Sequence, residues 1–510
     1  MPSLLGIDSG LTVTKAVIFD IDGTQIAVAR RRVTQFMPKA RHVERDMDEL
    51  WTATADAIAE AIMLSNRPAS DIQAIAATAH GDGIYLLDKT KKKPLGRAIL
   101  SLDSRAGSIV EQWLKSPVAD EALALTGQLP HVSAPSALLA WIKANEPARF
   151  AEVGHILSCK DWLRFCLTGV AGTDRTEAST SFTDVSTQDY SLDALKLFGV
   201  PELAGALPRI SRSDEVVGHI TEAVARRTGL AEGTPVVAGL HDVTASALGA
   251  GGYADGVVAV IAGTYSINET LSSEPRVDRR WFCRNAIASG QWNNMSISPA
   301  SSANYEWFLD KLCAGEIANA EASGQSIHAL LAPEIQAAFN RPSSALFHPY
   351  LFGSPYGADA SAGFFGLGGW HDRGDMLRAV LEGIAFNHKI HVDALNDGFS
   401  FIQARLAGGV SRNPIVVQMF ADVLAMPVTV TETDEAAAWG AALCAGAGIG
   451  FYADPQSDPR DVDKIAKTYY PDTARSAEYR IRYEVFKDIA EAMRPLWPRI
   501  GDLTVQNSQD

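Results

Sequence analysis

Two copies of a strand that ends in a glycine turn, half a chain apart, constrain the fold of this chain. The first copy runs from Leu5 to Lys15, and a second strand from Ala16 to Asp20 follows it directly. A looser copy runs from Val257 to Ser266. A glycine at such a turn lets backbone N–H groups point at an anion, because no Cβ stands in the way. Two such turns predict two similar domains that close on the phosphates of a nucleotide, as in an ATP-dependent phosphotransferase.

Length and charge limit the class of protein. A chain of 510 residues exceeds one hydrophobic core and predicts roughly two to four domains. Apolar residues make up 47% and charged residues 21%, which is typical of a globular enzyme and argues against disorder. The formal charge of −15 disfavours nucleic acid as a partner, because its phosphates would be repelled.

Three features predict a cytoplasmic protein without a membrane segment. Asp8 falls where a signal peptide would need an apolar core. The uncharged stretch from Ala436 to Ala453 is about long enough to span a bilayer. Its Ala- and Gly-rich composition instead indicates a helix packed closely inside the protein. The five cysteines lack metal-ligand spacing, which indicates reduced buried thiols.

Short apolar runs alternate with helical patterns in both halves of the chain. This alternation predicts an α/β fold with mixed central sheets flanked by helices. A helix with one apolar stripe is predicted over residues 47–64, and a buried strand over residues 235–240. The glycine-rich segment from Gly249 to Gly256 indicates the boundary between one domain over residues 1–250 and a second over residues 251–510.

Several motifs occur together in an order that is characteristic of one enzyme family. They are Asp8-Ser9-Gly10 through Lys15, Gly239-Leu240-His241-Asp242, Gly263-Thr264, Gly363-Phe364-Phe365-Gly366-Leu367 followed by Arg378 to Gly383, and Leu406 to Asn413. Over nearly the whole chain, this set resembles the FGGY carbohydrate kinases. The resemblance implies two actin-like, ribonuclease-H-like domains with the active site in the cleft between them. It also implies ATP and Mg²⁺ as cofactors and a small sugar or polyol as the substrate.

Asp242 is the residue that the resemblance implies as the catalytic base and as a substrate contact. Phosphoryl transfer to an alcohol needs alignment, charge neutralisation and a carboxylate that accepts the hydroxyl proton. Asp242 follows the strand predicted over residues 235–240 and begins a helical run over residues 243–248, and a helix N-terminus favours the ionised carboxylate. From the residues alone, a plain N-cap is the commoner role. The resemblance favours the base.

The first glycine turn is expected to bind phosphates. By resemblance, Gly10, Thr12 and Lys15 face the β- and γ-phosphates, and Asp8 orients magnesium, which keeps most of its water and takes few carboxylates. The alternative for Asp8 is a turn-forming aspartate at a strand end. Leu11 departs from the family, which usually has Thr directly after the glycine. A hydroxyl contact to the phosphates would therefore come from Thr12, and otherwise only backbone N–H groups would contact the phosphates.

The second domain is expected to hold the rest of the nucleotide. The two glycines at 408–409 look like the family's adenosine loop, where absent side chains let the base and ribose approach the backbone. The alternative is a strand-to-helix turn that needs positive φ, with Ser411 capping the next helix. The expected contacts are Gly263 and Thr264 to the phosphates, Ser302 beside adenine, and Gly408, Gly409, Ser411 and Asn413 to adenosine.

Candidate sugar contacts lie in two short segments and at Asp242. A polyhydroxy substrate needs paired donors and acceptors, and a short carboxylate can bridge two neighbouring hydroxyls. Asp82 is also compatible with a purely conformational role in its Gly-Asp-Gly turn, but the family places a polar sugar residue here. Asp103 and Arg105 are equally compatible with a weak surface ion pair. The candidate contacts are His80, Gly81, Asp82, Asp103, Arg105 and Asp242.

Resemblance at the segment level favours a ketopentose substrate. Residues 44–51, 94–101 and 298–302 resemble the L-xylulose kinase branch, whereas His80-Gly81-Asp82-Gly83 is nearer to erythritol-type polyol kinases. Transfer of the ATP γ-phosphate to a terminal hydroxyl of a ketopentose such as xylulose is the first prediction. A linear polyol of the erythritol or glycerol type is the second. An actin-like ATPase switch and a silent sugar-responsive regulator stay open as other classes, and a homodimer is expected because it is common among relatives.

Overall fold

The computed structural model describes residues 1–90, 93–357, 359–431 and 433–505. The strands are β1 Ser3–Ser9, β2 Val13–Asp20, β3 Gln25–Arg32, β4 Glu44–Arg45, β5 Ile72–Ala79, β6 Tyr85–Asp88, β7 Ala98–Ile99, β8 Val153–Leu157, β9 Thr173–Asp174, β10 Ile210–Ser211, β11 Val216–His219, β12 Pro235–Val237, β13 Leu240–His241, β14 Val257–Ala262, β15 Ser266–Ser272, β16 Phe282–Asn285, β17 Trp292–Ser298, β18 Leu346–His348, β19 Gly363–Phe365, β20 Gln403–Ala407, β21 Val428–Thr431 and β22 Ala466–Tyr469.

The α-helices are α1 Met47–Ser65, α2 Gly107–Leu114, α3 Val118–Thr126, α4 Pro135–Asn145, α5 Pro147–Ala151, α6 Cys159–Thr168, α7 Arg175–Ala178, α8 Leu192–Leu197, α9 Glu222–Thr228, α10 Asp242–Gly249, α11 Ser302–Leu312, α12 Ala314–Ser323, α13 Ile327–Phe339, α14 Arg373–Asn396, α15 Pro414–Leu424, α16 Ala436–Gly448, α17 Val462–Ile465, α18 Thr473–Met493 and α19 Trp497–Val505. Short 3-10 helices cover Ala69–Asp71, Pro201–Ala206 and Gly409–Arg412.

The chain forms two compact units. Unit 1 comprises Met1–Asp255, Thr270–Met295 and Thr431–Ile465, and unit 2 comprises Gly256–Glu269, Ser296–Val430 and the segment from Ala466 onward. Both units are discontinuous along the chain, whereas the sequence prediction used one boundary after residue 250. The division into 1–250 and 251–510 stays a prediction.

Unit 1 is built on a mixed sheet with the strand order β11-β12-β5-β1-β2-β3. Strand β1 is antiparallel to β2 and parallel to β5, and β12 is parallel to β5. Strand β16 pairs antiparallel with the first half of β17 in the same unit. The opening hairpin and the mixed sheet predicted from the sequence are therefore confirmed.

The two faces of β1 are packed differently because side chains alternate along a strand. Leu5 and Ile7 belong to a buried apolar cluster that includes residues of α1 and α6. Gly6, between them, faces α16, where a Cβ would overlap the Ala438 carbonyl. Gly440 of α16 approaches the backbone of α10 as closely. Small residues are therefore what lets α16 lie directly on the sheet.

The alanine- and glycine-rich run from Ala436 is thus a buried helix inside unit 1, as its composition predicted. Among the described residues, none of the helices combines the length and the hydropathy that a membrane crossing requires.

The prediction of one strand over residues 235–240 is wrong in one respect, because the structure has two short strands there, β12 and β13. Gly239 between them has φ of +74°, and a Cβ there would overlap the Ala77 carbonyl of β5. A left-handed glycine interrupts the ladder. Strand β13 then pairs with the end of β5 and leads directly into α10.

Unit 2 repeats the strand arrangement of unit 1. Its sheet contains the order β15-β14-β20-β21-β22, with β14 antiparallel to β15 and parallel to β20. The hairpin β14–β15 carries the second glycine turn, as β1–β2 carries the first. The predicted second copy is therefore a real structural repeat.

Candidate active site

The register of unit 1 brings three predicted segments to one edge of its sheet. Ser9 lies opposite Ala79, and Ala79 lies opposite His241, at the carboxyl ends of parallel-paired strands. The chain leaves these strands into the Gly10 turn, the His80–Gly83 turn and helix α10. Ligands of open α/β sheets bind at such edges.

Asp242 occupies the first turn of α10, and His241 takes the N-cap position. One Asp242 carboxylate oxygen accepts a hydrogen bond from the Val243 N–H at 2.8 Å. The side chain is 31% exposed, so it is neither buried in the core nor fully in solvent. The N-cap alternative is therefore wrong in detail, since Asp242 lies inside the helix and its carboxylate stays accessible.

His241 joins Asp242 to the His80–Gly83 turn. The His241 ring packs so closely on Gly81 that a Cβ at that position would overlap it. The His241 Nδ1 lies 3.7 Å from an Asp242 oxygen, beyond hydrogen-bonding distance. Burial, and to a smaller extent the Arg284 guanidinium, lowers the pKa of His241 to about 4. The ring is therefore neutral at neutral pH, and Gly81 has a steric role that the sequence alone did not reveal.

The neighbouring His80 contacts Tyr85. Its Nε2 lies 3.1 Å from the Tyr85 hydroxyl, and burial lowers its pKa to about 3. His80 is therefore also neutral, and its role as a sugar contact stays a prediction.

Asp82 is the charged residue of this turn. It has φ of +55°, a conformation that Asp tolerates better than most residues. Its Oδ1 accepts a hydrogen bond from Arg284 Nη2 at 3.2 Å and lies 3.6 Å from His131 Nε2. Burial alone would raise the pKa of Asp82, but the positive field led by Arg284 outweighs it and lowers that pKa. Arg284 was not found from the sequence because β16 lies about two hundred residues away and no local signal marks it.

Asp103 and Arg105 form a buried network, so the alternative of a surface ion pair is wrong. The Arg105 side chain is 1% exposed and donates to Asp103 Oδ2 at 2.8 Å and to Glu44 Oε1 at 2.8 Å. Asp103 also accepts from the Val43 N–H. These polar contacts run to the Val43–Glu44 segment rather than to the His80–Gly83 turn, and direct sugar contact stays a prediction.

Lys15 lies between two carboxylates beside the first glycine turn. Its Nζ is 3.2 Å from Asp8 Oδ2 and 2.9 Å from Glu435 Oε2. Burial alone would lower the pKa of Lys15, but Asp8 and Glu435 outweigh it and raise that pKa. Burial raises the pKa of Asp8, although Lys15 opposes the effect. Glu435, which also contacts Arg30, was missed because it lies 420 residues from Lys15.

The turn itself is held by backbone contacts. The Gly10 N–H donates to the Val13 carbonyl at 2.9 Å, and the Thr12 carbonyl accepts from the Val33 N–H at 3.0 Å. Thr12 is exposed, whereas Leu11 packs against the apolar cluster of unit 1. The Leu11 side chain therefore faces the protein, and the only hydroxyl of this Leu11-Thr12 pair is on the exposed residue.

A buried charged cluster is linked by hydrogen bonds to the start of α10. Lys160 Nζ lies 2.6 Å from Asp161 Oδ1 and 2.9 Å from Asp174 Oδ1, and each of the three side chains is at most 1% exposed. Thr176 Oγ1 donates to Asp174 at 2.8 Å and accepts from the His241 N–H at 2.9 Å. The position of His241, and with it that of Asp242, thus depends on a cluster that the sequence analysis did not identify.

In unit 2, the second glycine turn and the start of α11 are joined. The Ser302 N–H donates to the Gly263 carbonyl at 3.0 Å, and its hydroxyl donates to the Ala262 carbonyl at 2.9 Å. Apart from each glycine and its two chain neighbours, no heavy atom of the described residues lies within 4 Å of the place where a Cβ would stand on Gly263 or Gly409. Thr264 is exposed. This geometry leaves room for a nucleotide to approach both backbones.

The loop after β20 is shaped by Gly408 and capped by Asn413. Gly408 has φ of +101°, and a Cβ there would overlap the Ala262 carbonyl. The Ser411 hydroxyl donates to the Gly408 carbonyl at 2.7 Å, while the Asn413 side chain accepts from the Ile415 N–H at 3.0 Å. The alternative that Ser411 caps the next helix is therefore wrong, because Asn413 is the N-cap of α15.

Two buried histidines of α14 hold the strands around these loops. His388 contacts the Ser266 hydroxyl through Nδ1 and the Ser301 hydroxyl through Nε2, each at 3.1 Å. His391 contacts the hydroxyls of Ser296 and Ser298 at 2.8 and 2.9 Å. His388 thus connects the segment after the glycine turn with the segment before Ser302.

Because of these two histidines, we expect the free energy of unfolding to fall in acid. Burial lowers the pKa of His388 to about 3 and that of His391 to about 4, whereas an unfolded histidine titrates near about 6.5. The unfolded chain therefore binds more protons, and stability present above about pH 6.5 is lost as the pH falls toward about 4. We expect each histidine to lower the free energy of unfolding by up to about 2 kcal/mol at about pH 5. Guanidinium unfolding above about pH 6.5 and at about pH 5 measures this loss of stability. The His391→Gln variant should lose less stability between the two pH values. An identical pH dependence in that variant would contradict the explanation.

A metal would have to be held by few protein ligands. No cluster of three or more His, Cys, Asp or Glu side chains able to bind a metal ion occurs in the described ranges. Mg²⁺ commonly takes one or two carboxylates and completes its shell with water and substrate phosphates. Asp8, on the strand that leads into the first glycine turn, fits that mode of binding.

Comparison with known proteins agrees with this geometry. Residues 3–249 match the N-terminal domain of the FGGY family of carbohydrate kinases, and residues 258–449 match its C-terminal domain. The chain is 32% identical to the L-xylulose/3-keto-L-gulonate kinase of Escherichia coli (strain K12), over 98% of this chain and 99% of that protein. It is 28% identical to the erythritol kinase of Brucella abortus (strain 2308), over 98% of each.

The fold is shared with solved sugar kinases. The crystal structure of xylulose kinase from Rhodospirillum rubrum superimposes with a TM-score of 0.83 at 28% identity, covering 97% of this chain and 99% of that one. The predicted fold class, two actin-like domains with mixed sheets flanked by helices, is confirmed, and the ATPase-switch and silent-regulator alternatives are not supported. With matches along almost its full length, the chain belongs to the FGGY family of carbohydrate kinases and is a phosphotransferase of that family.

Proposed function

We propose that this kinase transfers the γ-phosphate of ATP to a terminal hydroxyl of a ketopentose such as xylulose, with Mg²⁺ as the cofactor. The observation that carries the proposal is the accessible Asp242 carboxylate in the first turn of α10, joined through His241 to the turn that contains Asp82. Phosphoryl transfer asks the protein mainly for positioning, charge stabilisation and a proton acceptor. This arrangement supplies the acceptor beside a polar turn.

In this proposal Asp242 accepts the proton of the sugar hydroxyl as the new O–P bond forms and the bond to the leaving ADP oxygen breaks. Asp82 accepts hydrogen bonds from neighbouring substrate hydroxyls. The neutral His241 ring, at the start of α10, packs on Gly81 next to Asp82 in the chain, and it adds no charge at neutral pH. Bound Mg²⁺ supplies charge neutralisation at the phosphates, and Asp8 is the residue that would orient it.

The nucleotide contacts are proposed from the loops described above. In unit 1, Gly10 offers a backbone without a Cβ, Thr12 an exposed hydroxyl and Lys15 a cation. In unit 2 the proposed contacts are Gly263, Thr264, Ser302, Gly408, Gly409, Ser411 and Asn413.

The names of the relatives support two substrate classes. A ketopentose is favoured because the relative at 32% identity is named as an L-xylulose kinase. A linear polyol is the second candidate, because the erythritol kinase also matches over the full length and the Gly81-Asp82-Gly83 turn is nearer to that type.

A phosphorylation screen tests the proposal. The purified protein is incubated with ATP, Mg²⁺ and a panel of ketopentoses, aldoses and polyols, and both ADP and the sugar phosphate are measured. We expect the highest kcat/KM with a xylulose enantiomer, whereas a higher value with erythritol would select the polyol alternative. ADP release without any phosphorylated product would contradict a sugar kinase role for this site.

We also propose that the enzyme acts in the cytoplasm as a homodimer. The odd number of cysteines without disulfides supports the first point, since the described Cys159, Cys166, Cys283, Cys313 and Cys444 are all free thiols. Light scattering of the purified chain tests the second, and a monomer mass would contradict it.

A further inference from the structure

The candidate sugar site contains a buried arginine. Arg284 of β16 is 2% exposed, and its Nε donates to Gln128 Oε1 at 3.0 Å. Its Nη2 donates to Asp82 at 3.2 Å. Arginine keeps its charge in proteins and is the side chain best suited to bind a carboxylate. An unpaired Arg284 at this position would therefore favour an acidic substrate.

Asp82 occupies the place that such a substrate carboxylate would take. Its carboxylate already accepts from Arg284, and the two charges cancel. The neighbouring rings add no positive charge, because burial lowers the pKa of both His131 and His241. Asp242 adds a second carboxylate beside His241, whereas the charge of Arg284 is already paired with Asp82.

We propose that Asp82, by holding the charge of Arg284, makes the site selective for neutral sugars or polyols and against sugar acids. The inference rests on the proposed function, because it names the substrate class of that same site. Placing a substrate carboxylate beside Asp82 and Asp242 would juxtapose like charges, which is unfavourable. The question is open for this chain because the name of its 32% identical relative includes a neutral ketopentose and a keto-acid.

The test compares substrates that differ only in this group. Xylitol and xylonate have the same carbon skeleton, and xylulose is the reference substrate. We expect kcat/KM for xylonate to be at least about 100-fold below that for xylitol in the wild type. Asp82→Asn keeps the size of the side chain and tolerates the left-handed backbone. It should move the xylonate-to-xylitol ratio toward the acid by at least about 10-fold.

Two further variants isolate the charge. Asp82→Asn combined with Arg284→Gln should lose the gain for xylonate, because the freed cation is gone. Asp22→Asn, in the β2–β3 turn where the Asp22 carboxylate accepts from the Thr24 N–H, is the matched control and should leave the ratio unchanged. Thermal unfolding of each variant shows that it is folded.

Calorimetric binding of xylonate and xylitol separates this inference from the proposed function. If the wild type phosphorylates nothing in the panel, the proposed function fails, and the binding preference alone decides the inference. Xylonate that binds the wild type as tightly as xylitol, or an Asp82→Asn variant with an unchanged preference, would overturn the inference.

Discussion

Asp242→Asn is expected to lower kcat by about 10²- to 10⁴-fold, the range typical for loss of a general base. Asparagine has nearly the same shape, and its Oδ1 can still accept the hydrogen bond from the Val243 N–H. The start of α10 should therefore stay folded while the proton acceptor is lost. Calorimetric binding of ADP should be unchanged, because none of the proposed nucleotide contacts includes Asp242. The measurement is steady-state phosphorylation of the best substrate from the screen.

The matched control is Asp193→Asn. Asp193 also lies in the first turn of a helix, α8, but its side chain is 77% exposed and pairs with Lys196. Its substitution should leave kcat unchanged, since exposed ion pairs contribute little. If Asp242→Asn retained more than about half of the wild-type kcat, Asp242 would have no part in proton transfer.

Much of the secondary structure followed from local signals. The helix predicted over residues 47–64 is found as Met47–Ser65, because its apolar stripe is continuous and Asp46 caps its first turn. The strand predicted over residues 235–240 failed at Gly239. A glycine inside a strand pattern can mark a place where another backbone approaches closely. Here that backbone is Ala77 of β5, and the pairing with β5 could not be known from the local sequence.

The site was predictable where its residues follow one another along the chain. The position of Asp242 between β13 and α10 was predictable because it lies in a recognisable motif, and its catalytic role stays a prediction. Arg284 and Glu435 were not predictable, since each meets its partner only through the folded sheet, at sequence separations of 202 and 420 residues. The packing of Gly81 against His241 was missed for the same reason, because it depends on the pairing of β13 with β5, which no local pattern shows. The sequence analysis therefore proposed Gly81 only as a sugar contact.

Lys160→Met is expected to lower the free energy of unfolding by about 3–5 kcal/mol, as is typical when one partner of a buried ion pair is removed. Methionine keeps much of the volume, but Asp161 and Asp174 would lose the ammonium group that lies 2.6 and 2.9 Å from their oxygens. Two carboxylates would remain in a site where each is at most 1% exposed. Guanidinium unfolding of wild type and variant measures the difference. Lys196→Met, at an exposed pair with Asp193, is the control and should change the free energy by less than about 1 kcal/mol.

The pH dependence of this loss distinguishes charge from packing. In the wild type, burial alone would raise the pKa of Asp161, but Lys160 and Arg164 outweigh it and lower that pKa. Without Lys160, burial should raise the pKa of the folded-state carboxyl groups above the unfolded value near about 3.9. A raised folded pKa gives stability that is present at low pH and lost as the pH rises. The variant should therefore be closest to wild type at about pH 5 and furthest from it at about pH 8. A deficit that is the same at both pH values would mean that lost packing, and not the unpaired charge, destabilises unit 1.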